Sequence, residues 1–141
     1  MELSALRDRL ENLDKPKEAV VYTSYYARMK HIKEADIVPI RIALYAPQYQ
    51  QKHDCYPALY PAKDLLAAIK AGDIDATEYT KRYNKQLDKL DPMEVYGDLL
   101  AIGGGYSVAI LCYEKIGDFC HRHLVKLWFK KHGINISEWL Q

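Results

Sequence analysis

The sequence predicts a three-layer α/β domain with a mainly parallel sheet and a C-terminal βαβ unit. Residues 107–112 (SVAILC) form an almost wholly apolar run, the pattern of a strand buried on both faces. A helical segment follows, then the alternating run 134–140 (INISEWL), so strand, helix and strand fill 34 residues. That spacing implies a parallel pair and a right-handed crossover. Upstream, short β-branched runs alternate with stretches of helical period, as expected of an α/β chain.

The elements follow in order. Leu3, Leu6, Leu10 and Leu13 fall at helical spacing among charged residues, giving an amphipathic helix over 1–14 that packs on the domain and ends before Pro16. Residues 19–23 (AVVYT) read as the first strand and 27–35 as a helix. Residues 37–44 (IVPIRIAL) read as a second strand, with Pro39 near its start, where a missing donor does least harm. Residues 46–61 carry no clear period and hold three prolines, His53 and Cys55; a loop this long is often a lid or binding loop.

Residues 63–71 form a helix stopped by Gly72. Asp75 and Glu78 make a capping-box pattern for the next helix, whose Tyr79, Tyr83, Leu87 and Leu90 share one face. Asp91 and Pro92 start a third helix that runs to about residue 102 and ends in Gly103-Gly104-Gly105. After the apolar strand, Asp118 can cap a helix over 119–132, closed by Gly133.

Composition narrows the function classes. The 141 residues fit a single domain over 1–141, without repeat or linker. Twenty basic residues balance nineteen acidic ones, so no overall field favours nucleic acid or a membrane surface. No apolar run reaches the roughly 18–20 residues of a membrane span. No leader pattern opens the chain, so a reduced cytoplasmic setting is expected, with Cys55, Cys112 and Cys120 not joined in a disulfide. Twelve tyrosines against two phenylalanines suit half-buried surfaces and pocket walls.

The chemistry concentrates between Cys112 and His123. In open parallel sheets ligands bind beyond the carboxyl ends of the strands, where Cys112 and Glu114 fall. Cys120, His121 and Arg122 occupy the first turn of the next helix, whose free N–H groups favour an anion. Three readings compete. Cys120 is a nucleophile with its pKa lowered by His121 or Arg122; or Cys112, Cys120 and a histidine hold a metal with Glu114; or Arg122 and the helix start hold a phosphate or carboxylate while the cysteines pack. The spacing matches no standard zinc pattern, and no metal ligand is assigned. Cys112 at the end of an apolar strand also fits a plain core position, since cysteine is among the most buried residue types.

Two motifs fail. Gly103–Gly105 follow a helix and precede a strand, the reverse of a phosphate loop. Arg122 lies ten residues beyond Cys112, too far for the cysteine-x5-arginine phosphatase signature.

The run 111–125 (LCYEKIGDFCHRHLV) closely resembles the signature of domain-of-unknown-function family 488, a group of bacterial and phage proteins: a buried strand ending in cysteine, a glutamate two positions on, then Cys-His-Arg opening a helix. Residues 21–26 (VYTSYY) resemble the family's tyrosine-rich first strand and turn. Leu59-Tyr60-Pro61 with Leu65-Leu66, and Glu78-Tyr79 with Arg82-Tyr83, resemble its helical segments. By position, Cys112, Glu114, Cys120, His121 and Arg122 take the family's defining residues. Where many relatives read aspartate-valine-arginine on the second strand, this chain has Pro39-Ile40-Arg41, which keeps the arginine and loses the acid. The resemblance implies a fold and a motif, and no activity.

The expected function is an enzyme-like site for a small anionic ligand, a nucleotide or phosphorylated metabolite. Cys120 is its thiol, His121 the proton partner, Glu114 an acid/base or orienting group, and Arg122 and Arg41 the anion clamps. Cys112, Tyr22 and Tyr25 complete the ligand-binding wall. No cofactor is specified by the sequence. The alternatives are a nucleic-acid-associated module, with Tyr22, Tyr25 and Tyr26 stacking bases and Arg28, Lys30 and Arg41 on phosphates, or a protein-interaction module.

Overall fold

A computed structural model of the chain describes residues 18–44, 53–112 and 121–139. The expected helix over 1–14, and Glu114, Asp118 and Cys120, lie outside these residues. The described chain folds as β1 (Val21–Tyr25), a 3-10 turn (Tyr26–Arg28), α1 (Met29–Glu34), β2 (Val38–Arg41), β3 (Asp54–Cys55) and a second 3-10 turn (Pro57–Leu59). Then come α2 (Lys63–Lys70), α3 (Ala76–Leu87), α4 (Pro92–Gly103), β4 (Val108–Cys112), α5 (His121–Lys131) and β5 (Ser137–Glu138).

The strands form one sheet in the order β3-β2-β4-β1-β5, and every pair is parallel. This is the expected α/β architecture. β4 is buried at all five positions because it lies between β1 and β2 with helices on both faces. The βαβ reading needs one correction: β5 pairs with β1 instead of β4. The chain leaves β4, crosses α5 and steps over β1 to reach the edge. β5 is also two residues long, against the seven that alternate in the sequence.

A second correction concerns the aperiodic stretch 46–61. Its latter part is a two-residue strand on β2 followed by the Pro57–Leu59 turn. Tyr83 fastens that turn, its buried hydroxyl donating to the Leu59 carbonyl at 2.6 Å.

Pro39 sits inside β2 without breaking it. The β4-facing donors of this strand belong to even-numbered residues, as Val38 N–H to Ser107 O (2.9 Å) and Ile42 N–H to Leu111 O (3.1 Å) show. The nitrogen of Pro39 therefore faces β3, whose pairing begins only at Ile40.

Helix ends follow the sequence signals. The Asp75 carboxylate accepts from Glu78 N–H at 2.8 Å, while the Glu78 carboxylate turns to Arg82 at 2.9 Å and leaves the capping box half made. Asp91 accepts from Met93 and Glu94 N–H ahead of Pro92. Gly104 ends α4 in the left-handed region at φ 57°. A side chain at Gly103 would meet Val108 Cγ1 at 2.6 Å, so this glycine allows α4 to approach β4.

The two faces of the sheet differ in depth. Helices α2 to α5 pack Leu65, Tyr83, Leu99, Val125 and Phe129 against Ile40, Ile110 and Cys112. On the other face, the first 3-10 turn, α1 and Trp139 pack Tyr26, Met29, Ile32 and Ile37 against Ala109 and Leu111. No helix among the described residues is long and apolar enough to cross a membrane.

Candidate functional site

The carboxyl ends of β1, β2, β3 and β4 present Tyr25, Arg41, Cys55 and Cys112 along one edge. Register decides which face each takes. Leu111 pairs with both Ser24 and Arg41, so Arg41 lies on the α1 face, whereas Cys112 pairs with Tyr25 on the α5 face. Paired residues of a sheet point to the same side, and neighbours alternate.

On the α5 face, the apolar stripe Val125, Trp128 and Phe129 continues back onto His121 and Arg122, both buried. Two polar side chains thus enter core positions, and each carries its own satisfaction. The Nε2–H of His121 donates to the Ile42 carbonyl at 2.7 Å, since a carbonyl can only accept. Burial and the neighbouring Arg122 charge outweigh that hydrogen bond and push the imidazole pKa down to about 4. His121 is therefore neutral near pH 7, protonated on Nε2, with its ring edge-on to Tyr83 at 5.4 Å.

Arg122 is 0% exposed. Its Nε and Nη2 donate to the two oxygens of Glu138 at 3.1 and 3.0 Å. Nη1 points at Cys112 Sγ at 3.5 Å, and the guanidinium carbon lies 5.3 Å from the Tyr25 ring centroid. Burial raises the Glu138 carboxyl pKa, but the Arg122 fork outweighs it, and the net shift is downward. The pair is an ionised, fork-to-carboxylate contact in a nearly dry setting.

Cys112 is itself disulfide-bonded, and Cys55 is free and exposed. The expectation of unjoined cysteines is thereby corrected for Cys112. That expectation rested on compartment, which is silent about side chains brought together at a strand end.

On the α1 face, Arg41 is half-buried and donates from Nε and Nη2 to the Tyr60 hydroxyl at 3.2 and 2.9 Å. Cys55 is the register partner of Arg41, so its side chain stands on the same face of the sheet. Burial lowers the Arg41 pKa, but Tyr60, Tyr26 and Cys55 overcome it and hold the guanidinium firmly charged. Beside it, the buried Tyr26 hydroxyl lies 3.1 Å from Nε2 of His53.

The expected residues thus divide. Cys112, His121, Arg122 and Tyr25 come together on the α5 face, and Arg41 stands on the α1 face with Tyr60 and Cys55. Tyr22 lies mid-strand in β1, partly buried against the α1-side core. Tyr26 is 3% exposed, so its ring belongs to the core more than to a stacking surface. Among the described residues, no group of three or more His, Cys, Asp or Glu could hold a metal ion.

The sequence reading missed Glu138 and Tyr60. A signal for Glu138 was present: it shares the parity of Ile134 and Ile136, so a carboxylate falls in the core register of the final alternating run. Tyr60 carried no such signal, because it lies in the aperiodic stretch.

A family model described as the active DUF488-N3 subclade matches residues 21–133. No curated protein and no solved structure matches the chain.

Proposed function

The chain belongs to the DUF488 family, within its N3 subclade, and from that membership and the geometry above we propose an enzyme-like site for a small anionic ligand, a nucleotide or phosphorylated metabolite, at the strand carboxyl ends. The carrying observation is Arg41. Its guanidinium is oriented by the neutral Tyr60 hydroxyl, and among the described residues no carboxylate pairs with it. A guanidinium held this way keeps its charge and its planar fork for a phosphate or carboxylate. Arg122 is matched by Glu138, so its role in this reading is to fix the wall formed by Cys112 and Tyr25.

His121 and Glu114 of the family motif are assigned the chemistry at this edge, with His121 entering as a neutral imidazole. Tyr25 borders the ligand from the carboxyl end of β1. The description of the subclade as active supports an enzyme over a passive binder.

A thermal-shift screen of nucleotides and sugar phosphates tests the reading, because a ligand that binds the native state raises the melting temperature by mass action. At least one phosphorylated compound should stabilise the protein, and Arg41→Met should remove that shift while melting cooperatively by itself. A screen without any shift, or one untouched by Arg41→Met, would set the anionic-ligand reading aside.

A further inference from the structure

The family motif contains Cys112 and Cys120, yet a third cysteine stands beside Arg41, which meets no carboxylate among the described residues. Cys55 ends β3 directly opposite Arg41 in register. It is free and exposed. Its side chain stands on the same face as the Arg41 fork, whose two donors meet the Tyr60 hydroxyl. Strands β2 and β3 therefore place a thiol and a guanidinium side by side on one face, with the Tyr60 hydroxyl on the guanidinium.

We propose that Cys55 is a reactive thiol of the Arg41 site and takes anionic electrophiles, whose negative group seats on the Arg41 guanidinium while sulfur attacks the adjoining carbon. The inference rests on the reading of Arg41 as an anion clamp and adds to it the atom that reacts. The step balances simply. The thiol proton passes to solvent, a sulfur–carbon bond forms, and the leaving group departs with the electron pair of the bond that breaks. Arg41 acts by raising the local concentration of anions and orienting them, and this advantage is absent for a neutral electrophile of the same shape.

Iodoacetate and iodoacetamide form such a matched pair, and iodide is the leaving group of both. Alkylation of Cys55 is followed on the full chain by peptide mass spectrometry, and the iodoacetate-to-iodoacetamide rate ratio is compared with that of the same cysteine in urea. Folding should raise the ratio about threefold or more, the factor a unit charge a few ångströms away supplies even at high dielectric. Added salt should erode the increase. Arg41→Met should return the ratio to its unfolded value, Arg41→Lys should keep part of it, and inorganic phosphate should slow iodoacetate more than iodoacetamide. Should Arg41→Met fail to fold, the salt dependence and phosphate protection of the wild-type chain decide the matter.

A folded ratio equal to the unfolded one, or one indifferent to salt and phosphate, overturns the proposal. A phosphorylated ligand that binds through Arg41 without any ratio effect defeats this inference alone. A raised ratio with no ligand in the thermal screen keeps the thiol and removes the metabolite reading.

Discussion

Arg122 and Glu138 meet through two hydrogen bonds of 3.1 and 3.0 Å, the arginine wholly out of water and the glutamate nearly so. The contact ties the start of α5 to the edge strand β5, on the far side of β1 from the strand that precedes the helix. Removing one partner leaves the other charge buried and unmatched. Arg122→Met should cost about 3–5 kcal/mol in urea unfolding. The double change Arg122→Met with Glu138→Leu should recover much of that loss, since a well-packed apolar pair often replaces a buried ion pair without penalty. A single variant within 1 kcal/mol of wild type, on the same order-of-magnitude scale, would mean that water reaches the pair.

Acid sensitivity should trace to His121. Its folded pKa of about 4 lies below the ordinary histidine value near 6.5. The unfolded chain therefore binds the extra proton first as pH falls. The contribution is fully present above about pH 6.5 and is lost as pH drops toward 4, on the order of 3 kcal/mol across the window. His121→Gln can still donate to the Ile42 carbonyl and does not titrate. Its melting temperature should decline less than that of wild type between pH 6.5 and 4.5, and parallel curves would contradict the assignment.

Glu138 contributes to the same acid limb at lower pH. Its folded pKa is depressed, so its stabilisation holds above the unfolded carboxylate value and is lost as pH falls through the folded one. In a His121→Gln background, the remaining acid loss should shrink further when Glu138→Gln is added. Chemical denaturation at a series of pH values separates the two.

Tyr83→Phe isolates the hydrogen bond that holds the second 3-10 turn. The hydroxyl is buried and donates to Leu59 O, and its loss leaves a carbonyl without that donor. Destabilisation of about 1–3 kcal/mol is expected, with faster hydrogen exchange around residues 57–60. An unchanged exchange pattern would show that the turn is held by Leu59 packing alone.

Gly103→Ala tests the approach of α4 to β4. The added methyl would lie 2.6 Å from Val108 Cγ1, so overpacking should cost about 1–3 kcal/mol. Val108→Ala in the same chain should relieve the clash and make the two changes less than additive. Strict additivity in denaturant melts would argue that the helix moves aside.

Much of this architecture is legible in the residue order because its signals are local. β4 announces itself by an unbroken apolar run, and Asp75, Asp91 and Gly104 mark helix ends through chemistry within a few positions. The missed features are non-local. A strand of two residues, such as β3 or β5, has no period to detect, and the choice of β1 over β4 as partner for β5 depends on sheet order. The candidate site divides in the same way. Arg122 and His121 are conspicuous in a reactive cluster, but their partners Glu138 and Ile42 arrive from other strands. Tyr60 holds Arg41 from within a segment that shows no pattern at all.

The central position of β4 has a consequence for how the chain is made. Val20 and Ser107, whose hydrogen bond lies at the entry to the β1–β4 ladder, are 87 residues apart, and β2 likewise needs β4 as its principal partner. During synthesis, β1 and β2 leave the ribosome long before the strand that joins them. They wait with open edges while the three helices from 63 to 103 form from local contacts. Closing such distant pairs is the slow step expected of a topology rich in non-local contacts. Any nascent chain halted before residue 108 therefore carries two strands without their β4 partner, and open strand edges are where aggregation starts.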